Sequence, residues 1–413
     1  MQNQIPKDWQ KAKLGDVVDI SSSKRIFAHE YVKAGIPFYR GKEIVEKFNN
    51  ASISTDLFIS LEKFDQIKKK FGAPQPGDML LTSVGTLGIP YFVREGERFY
   101  FKDGNLTWFR KFSGIDNRFL YYWIQSRIGK FQIMKYVIGS SQPALTIDGL
   151  KKTDINLPLL GVQKQIASVL FTFDDKIEIN NKIVKTLEDM TQAIFKEWFV
   201  NFKFPGYEKV KLVDSELGKI PEGWKVKRIG DFGQVITGKT PSTKNKSNFG
   251  SKIPFITIPN MANTFVLKTE RYLSPKGAKK LENLSLPKGS VCVSCIATVG
   301  LVSITTEDSV TNQQINSVIP NRRTLTYFLY QFFKKNKRLL EAYGAGGSTT
   351  LIINKTEFEN LNILTPEISI LEKFHRIVKP MYEKTLAINK ENQKLAEIRD
   401  LLLPKLMKGE IRV

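Results

Sequence analysis

The chain has 413 residues, with 63 Lys plus Arg against 41 Asp plus Glu, and a formal net charge of +22. Its 41% hydrophobic and 11% aromatic content is typical of globular proteins and excludes wholesale disorder. Two cysteines exclude a disulfide framework for a chain of two to three domains. The sequence shows neither a signal-peptide pattern nor an apolar run of membrane-spanning length, so we expect a cytoplasmic protein.

The positive charge is spread over both halves of the chain. Residues 1–202 hold 29 basic and 22 acidic side chains (+7), and residues 203–413 hold 34 and 19 (+15). This distribution favours two binding surfaces for an anionic partner, with nucleic acid first and an acidic membrane surface second. The alternative is a basic but inert surface.

Short apolar or alternating runs and longer aromatic runs follow each other along the chain. Residues 79–81, 89–93 and 290–293 are predicted strands, and residues 119–134 and 325–343 are predicted helices with aromatic faces. The predicted fold class is mixed α/β.

The sequence contains an internal repeat. Ile5-Pro6-Lys7-Asp8-Trp9 recurs as Ile220-Pro221-Glu222-Gly223-Trp224, and Phe119-Leu120-Tyr121 recurs as Phe328-Leu329-Tyr330. Further matches occur in the same order, so one unit of about half the chain is present twice.

Each repeat ends in a predicted long helix. Apolar residues recur at alternating steps of four and three from Ile166 to Trp198 and again from Phe374 to Leu406. Pro380 and Pro404 are expected to bend the second helix, and Pro380 could delay its start.

The simplest burial for these two apolar stripes is against each other, as an antiparallel coiled coil. With the helix centres matched, Asn180 falls opposite Asn392, and a buried Asn–Asn contact is a known register device. A parallel pairing would instead bury Asn180 against Ile388.

Catalytic signals are poor. No adjacent proline pair exists, so the Asn/Asp-Pro-Pro-aromatic element of amino-group DNA methyltransferases is missing, and there is no phosphate-binding Gly-x-x-x-x-Gly-Lys-Ser/Thr loop. Cys292 and Cys295 occupy a predicted strand and are interpreted as packing residues, with no metal site expected. Asp174 and Asp175 are interpreted as solvated residues on the outer face of a helix.

Polar and basic segments that follow corresponding strands are candidate DNA contacts, because their side chains can bind base edges or phosphates. The alternative for each is a solvated turn. Lys68, Lys69 and Lys70 form dense charge on a predicted helix and suit the phosphate backbone. The other candidates are Lys24, Arg25, Arg40, Lys42, Ser83, Thr86, Ser141 and Gln142 in the first repeat, and Lys239, Thr240, Lys244, Lys246, Asn260, Asn263, Thr298, Asn312, Gln313, Gln314 and Ser348 in the second.

The junction between the repeats resembles a known family. The residues from Phe195 through Trp198 to Phe202, followed by those from Ser215 through Gly218 to Trp224, are similar to the central junction of type I restriction–modification specificity subunits. Leu401-Leu402 and Lys408-Gly409-Glu410-Ile411 resemble the end of that family, and the resemblance spans the whole chain.

The resemblance implies two target-recognition domains, each reading one half of a split DNA site, related by a pseudo-twofold axis through the helix pair. It implies domains at 1–157 and 204–365 and helical spacers at 158–203 and 366–413. It further implies a non-catalytic subunit of a complex that binds double-stranded DNA. Two adenine methyltransferase (modification) subunits and further restriction subunits would carry S-adenosylmethionine, ATP and Mg²⁺.

The helix pair would act as a ruler between half-sites about one DNA turn apart, ~34 Å. Its outer faces are candidate docking surfaces for the modification subunits. Two rivals stay open, an enzyme with its own activity and a structural DNA-binding scaffold without split-site specificity. The candidate docking residues are Lys182, Lys185, Glu188, Lys390, Lys394 and Glu397.

Overall fold

The computed structural model describes residues 6, 8–49, 53–215, 218–345 and 351–413. The chain divides into two compact units: unit 1 comprises residues 1–178 and 393–413, and unit 2 comprises residues 179–392. Each of two long helices is divided between the units, with one part in unit 1 and the other part in unit 2. Within the described part of the chain, none of the helices is both long enough and apolar enough to cross a membrane.

The first repeat contains twelve strands and seven α-helices among the described residues, and the last helix is the first long one. In chain order they are β1 Gln10–Lys13, α1 Leu14–Val17, β2 Asp19–Ser21, β3 Tyr31–Val32, β4 Ile36–Tyr39, α2 Gly41–Phe48, β5 Phe58–Ile59, α3 Leu61–Phe71, β6 Met79–Thr82, β7 Pro90–Phe92, β8 Tyr100–Phe101, β9 Leu106–Arg110, α4 Asn117–Gln125, α5 Arg127–Met134, β10 Val137–Ile138, β11 Ala144–Leu145, α6 Ile147–Lys152, β12 Asp154–Leu157 and α7 Leu160–Phe199.

The second repeat follows the same plan and ends in the second long helix. Its elements are β13 Leu212–Ser215, β14 Gly218–Pro221, β15 Lys225–Arg228, β16 Gly233–Thr237, β17 Phe249–Gly250, β18 Ile253–Ile256, β19 Phe265–Val266, β20 Arg271–Leu273, α8 Pro275–Lys279, β21 Val291–Ser294, β22 Val302–Thr305, β23 Val310–Thr311, β24 Ile315–Pro320, α9 Thr326–Lys335, α10 Lys337–Gly344, α11 Lys355–Glu359, β25 Asn362–Thr365 and α12 Ile368–Leu406.

The sheets of the two units have matching topology. Unit 1 has an antiparallel sheet of order β2-β9-β6-β7 and a second sheet of order β3-β5-β4-β8, and unit 2 has the orders β16-β24-β21-β22-β19 and β17-β20-β18-β23. In the second sheet of each unit the last pair is parallel. The strand that precedes the long helix pairs antiparallel with β1 in the first repeat and with β15 in the second. The mixed α/β class and the internal repeat are therefore confirmed.

The long helices pack together in antiparallel fashion. In unit 1, Ile166 and Leu170 near the start of α7 share a core with Leu406 at the end of α12. In unit 2, Phe199 near the end of α7 packs edge-on against Phe374 near the start of α12, with ring centroids 4.9 Å apart.

The predicted register of the helix pair is confirmed. The Asn180 side chain is buried and donates to Oδ1 of Asn392 at 2.7 Å. Asn392 in turn donates to Oδ1 of Asn181 at 2.9 Å, and Asn180 also donates to Glu391 at 3.1 Å. Both amide groups therefore have hydrogen-bond partners, as the burial of Asn180 requires.

Three expectations about helices were wrong. Each predicted aromatic helix is two helices, because Ser126 caps α5 by accepting from the Gly129 N–H, and Asn336 ends α9 by donating to the Phe332 carbonyl. The long helix α12 begins at Ile368, well before Pro380, and includes Pro404. Pro380 does not delay the start of α12, because burial of Val378 and Tyr382 on either side of it offsets the backbone hydrogen bond that proline removes.

Two acidic residues on α7, Asp174 and Glu188, hold the helix against its domain, so Asp174 is not solvated as expected. Asp175, the other residue expected to be solvated, is 47% exposed and pairs with Arg94 at 2.8 Å. Asp174 accepts hydrogen bonds from the Tyr122 hydroxyl and from Arg399, and burial raises the pKa of Tyr122. Glu188 accepts from the Thr264 hydroxyl and forms an ion pair with Lys334. Glu188 is therefore removed from the candidate docking face.

Candidate nucleic-acid interface

In unit 1, four loop segments meet at the sheet end where β2 and β6 finish and β9 begins: residues 22–25, 83–88, 102–105 and 139–143. The Ser83 N–H donates to the Asn105 carbonyl at 2.8 Å, and the Leu145 N–H donates to the Ser83 carbonyl at 2.9 Å. Arg25 pairs with Asp103 at 2.8 Å. These contacts join the first three segments directly, and the fourth through the strand that follows it, into one surface, here called loop cluster 1.

Loop cluster 1 contains five of the predicted contacts as exposed side chains. Thr86, Ser141 and Gln142 are neutral hydrogen-bonding groups, whereas Lys24 and Arg25 are basic. Ser83 is different, because its side chain is buried and bonded to the Leu81 carbonyl and the Thr107 hydroxyl. The backbone of Ser83 organises the cluster, and its hydroxyl is not presented to solvent.

A basic aromatic edge adjoins loop cluster 1. Lys68, Lys69 and Lys70 lie exposed on the last turn of α3, as predicted, and the next residue, Phe71, is 43% exposed. The ammonium groups of Lys24 and Lys70 each lie 5.5 Å from the Phe71 ring centroid. Two cations therefore lie close together beside one exposed ring, a geometry suited to binding a phosphate backbone.

In unit 2, the segments 238–246, 295–300 and 312–314 meet at the corresponding sheet end and form loop cluster 2. The Thr240 hydroxyl donates to Oε1 of Gln313 at 2.6 Å, and the Lys239 N–H donates to the Thr311 carbonyl at 3.0 Å. Thr298 and Gln313 are exposed, whereas Asn312 is buried and bonded to Gln314.

The two loop clusters share the same backbone hydrogen bonds. The Ser83-to-Asn105 bond of unit 1 corresponds to a bond from the Cys295 N–H to the Gln314 carbonyl, also at 2.8 Å. The Leu145-to-Ser83 bond corresponds to one from the Ile353 N–H to the Cys295 carbonyl, at 2.9 Å. The repeat therefore extends from topology to the details of the predicted interface.

Sequence reasoning missed the segment 102–105 of loop cluster 1. The strand before it, β8, is only two residues long, which left no clear pattern. Its counterpart, Asn312-Gln313-Gln314, was selected in the second repeat. Transferring that selection through the repeat would have identified Lys102, Asp103 and Asn105.

Several predicted contacts are engaged within the protein or lie apart from the clusters. Arg40 bonds Glu43 and Asp56, and these carboxylates raise the pKa of Arg40, the bond to Glu43 contributing most. Asn260 accepts from the N–H and hydroxyl of Thr257 and so caps its own turn.

Four other candidates lie within the described residues, two of them in loop cluster 2. Lys42 lies on α2, not in the expected loop, 3.8 Å from Glu46. Asn263 is exposed, as are Lys244 and Lys246 at the outer part of segment 238–246. Ser348 lies outside the described residues.

One residue of loop cluster 2 has a strained backbone. Ala297 adopts φ +63°, and its counterpart in unit 1 is Gly85 at φ +80°. A left-handed conformation is unfavourable for a residue with a Cβ, and such strain is concentrated at functional sites. The turn shape is therefore kept in both clusters even where glycine is absent.

The cysteines confirm the packing interpretation. Cys292 lies in β21 and Cys295 follows it, both are buried, and burial raises the pKa of each thiol to about 12. Neither is a thiolate at neutral pH. Among the described residues, no group of three or more His, Cys, Asp or Glu side chains is arranged to hold a metal ion.

Comparison with known families gives the class of protein. The family profile of the type I restriction modification DNA specificity domain matches residues 6–189 and again residues 221–399. The two matches cover most of both repeats and most of both long helices. The chain belongs to the family of type I restriction–modification specificity subunits.

Individual relatives are similar over their whole length. The chain is 33% identical to the type I restriction enzyme HindI specificity subunit of Haemophilus influenzae, over 98% of this chain and all of that protein. It is 28% identical to the MjaIX specificity subunit of Methanocaldococcus jannaschii, over 99% and 95% of the two chains. The fold is similar to the crystal structure of a type I S subunit from M. genitalium, with a TM-score of 0.61 and 14% identity over 98% and 97% of the chains.

Proposed function

We propose that this chain is the DNA-reading subunit of a type I complex, with loop cluster 1 and loop cluster 2 each reading one half of a bipartite duplex site. The observation that carries the proposal is the repetition of the same loop-to-loop hydrogen bonds in both units. Each cluster presents neutral hydrogen-bonding side chains beside basic ones. Such a combination reads base edges while the cations hold phosphates.

The chemistry of the complex belongs, in this proposal, to other subunits. Modification subunits would supply S-adenosylmethionine and methylate adenine, and restriction subunits would supply ATP-dependent cleavage with Mg²⁺, all in the cytoplasm. The lack of methyltransferase and phosphate-binding sequence motifs in this chain supports that division of labour.

The long helices are proposed to dock two modification subunits. Apolar side chains stand exposed on both helices, including Ile179, Ile183 and Met190 on α7 and Ile398 and Leu401 on α12. An exposed apolar row on an otherwise polar helix face is typical of a protein–protein interface. These residues join the predicted Lys185, Lys390, Lys394 and Glu397, of which Lys185 also pairs with Asp189.

The test assigns half-sites to clusters. The chain is co-expressed with its modification subunits, and the purified complex selects duplexes from a randomised library. Thr86→Ala/Gln142→Ala should relax selection in one half of the motif only. Thr298→Ala/Gln313→Ala should relax it in the other half only, because each good base contact contributes about 1–3 kcal/mol.

The control is Lys152→Ala, an exposed position at the end of α6 outside the clusters, which should leave the motif unchanged. Relaxation of both halves by one cluster's variant, or selection of a continuous motif, would contradict the assignment. Binding without any sequence selection would favour a structural scaffold.

The ruler proposal has its own test. Seven residues are inserted into both α7 and α12, which keeps the heptad phase while lengthening the pair. The preferred spacer between the half-sites should change while both half-sites stay the same. An unchanged spacer would refute the role of helix length.

A further inference from the structure

The internal repeat raises a question of pairing, because each long helix could meet a second copy of itself in place of the other. We propose that polar residues in the seam make α7 select α12 and disfavour self-pairing of either helix. The partner that each half of the chain fits is then the other half. This inference concerns assembly and is independent of the proposed DNA reading.

The repeat fixes which positions of the two helices are counterparts. β12 and β25 occupy equivalent places, and α7 and α12 each begin three residues after them, at Leu160 and Ile368. Asn180 is then the counterpart of Ile388, and Asn392 the counterpart of Val184. The asparagines are not at counterpart positions, so they meet only in the mixed pair.

The Asn180–Asn392 contact belongs to a small polar network. Asn180 donates to Asn392 and Glu391, and Asn392 donates to Asn181. Four residues further along α7, the same register places Val184 opposite Ile388. The mixed pair thus sets polar against polar and aliphatic against aliphatic.

Self-pairing would lose these matches. In a pair of two α7 helices, Ile183 and Val184 of the second copy would take the places of Glu391 and Asn392. Asn180 would lose both acceptors, and the loss would occur twice. In a pair of two α12 helices, Asn392 would face Ile388, and its carbonyl oxygen would lose its donor.

A second set of counterpart positions gives the same result independently. In unit 1, Tyr122 of α4 and Arg399 of α12 both donate to Asp174 of α7. In unit 2 the corresponding residues are neutral: Gln331 of α9 donates to Tyr382 of α12 at 2.7 Å and to Thr191 of α7 at 3.1 Å. One unit uses a charged set and the other an uncharged set.

This difference adds a charge term to the preference. Self-pairing of α7 would place Thr191 where Arg399 now lies, leaving Asp174 without its cation. Self-pairing of α12 would place Tyr382 where Asp174 now lies. Asp174 and Arg399 are largely buried, with side-chain exposures of 16% and 25%, so the lost ion pair would not be replaced freely by water.

The first test uses substitutions in the full-length chain to reproduce the contacts that each self-paired arrangement would make. Glu391→Ile/Asn392→Val gives α12 the side chains of Ile183 and Val184, so that Asn180 meets what it would meet in a pair of two α7 helices. Asn180→Ile gives α7 the side chain of Ile388, so that Asn392 meets what it would meet in a pair of two α12 helices. The first change should lower the equilibrium constant for folding roughly tenfold, because it removes both acceptors of the buried Asn180 amide. Asn180→Ile should lower it by less, because the half-buried Asn392 loses the donor to its carbonyl oxygen but still donates to Asn181. Combining the three substitutions should restore it, because an aliphatic contact replaces the whole network.

The control is Gln192→Ile/Ser369→Val, two polar-to-aliphatic changes at exposed helix positions, which should have little effect. Strictly additive effects in the combined variant, or first variants as stable as the control, would overturn the proposal. Arg399→Thr should also destabilise the protein, and Arg399→Lys should retain most of the stability.

The second test measures pairing directly. A protease site is inserted between Gly206 and Tyr207, both exposed, and the folded chain is cut there. The cut protein is unfolded and refolded, and its pairs are counted by native mass spectrometry. Unlike pairs should exceed like pairs roughly tenfold. If like pairs made up half of all pairs, as random pairing would give, the proposal would be overturned. In the three-substitution variant, the fraction of like pairs should rise toward one half.

Discussion

At the scale of single residues, the loop clusters depend on one left-handed position. A Cβ added at Gly85 would meet no atom within 4 Å, so a side chain at this position adds backbone strain without a clash. Ala297 already has that strain at φ +63°. Ala297→Gly should therefore stabilise the protein by about 1 kcal/mol, and Gly85→Ala should destabilise it by a similar amount.

Chemical unfolding of the two variants beside the wild type checks this prediction. Gly161→Ala is the control for the glycine substitution, since Gly161 is helical and has open space around it. A destabilising Ala297→Gly would show that the left-handed conformation is not strained.

His375 should make unit 2 sensitive to acid. Its ring stacks on Tyr327 with centroids 5.2 Å apart, and burial lowers the pKa of His375, with the charge of Lys379 adding to the effect and Glu383 opposing it. The folded state therefore holds the proton more weakly than the unfolded chain. The stability contributed by neutral His375 is present above its unfolded pKa of 6.5 and is lost as the pH falls.

Thermal unfolding at about pH 7.5 and about pH 5.5 measures this effect. The wild-type melting temperature should fall on acidification by more than that of His375→Gln. His29→Gln changes the other histidine, which is exposed, and should behave as the wild type. Equal decreases in wild type and His375→Gln would contradict the prediction.

At the scale of elements, α12 contains a proline that its packing tolerates. Pro380 is exposed and lies inside the helix, where it removes one backbone hydrogen bond. Pro380→Ala should restore that bond and stabilise the protein by about 1–3 kcal/mol. Pro404→Ala, in the last turn of the helix, should have a smaller effect.

Differential scanning calorimetry of the two alanine variants decides the point. A lower melting temperature for Pro380→Ala would mean that a bend at the proline is needed for the packing of Val378 and Tyr382.

The helices show what sequence could and could not predict. The heptad pattern predicted the partner and the register, since burying Asn180 was only favourable opposite Asn392. It did not predict the roles of Asp174 and Glu188, because their partners Arg399, Tyr122 and Thr264 are distant in sequence. The same reason explains the buried hydroxyl of Ser83, whose partner Thr107 lies on another strand.

The candidate interface was predictable in part. Segments with suitable side chains followed strand ends. Four of the selected side chains are exposed in the loop clusters: Thr86 and Gln142 in the first, and Thr298 and Gln313 in the second. Segment 102–105 was missed because β8 is too short to show a pattern. Arg40 was selected although Glu43 lies three residues away, because the sequence alone does not show that the two side chains bond or that Asp56 joins them.

At the scale of the whole molecule, the charge asymmetry predicts unequal contributions to DNA affinity. The half from residue 203 onward carries +15 and the first half +7. Each phosphate contact steepens the dependence of log K on log salt concentration by ~0.9. Replacing Lys239, Lys244 and Lys246 with Gln should flatten this slope more than replacing Lys68, Lys69 and Lys70.

Binding of the assembled complex to its duplex between about 50 and 200 mM salt measures the slopes. The control is Lys405→Gln, at an exposed position on α12. A larger change from the first-repeat variant would contradict the predicted asymmetry.

The central claim is that two homologous units of one chain read two halves of a DNA site. Long-read sequencing of methylated genomic DNA, from a strain with this gene and from the same strain without it, tests the claim most directly. We predict that deletion abolishes one adenine-methylated motif made of two specified halves and an unspecified spacer. Retention of every methylated motif, or loss of a continuous one, would contradict the account.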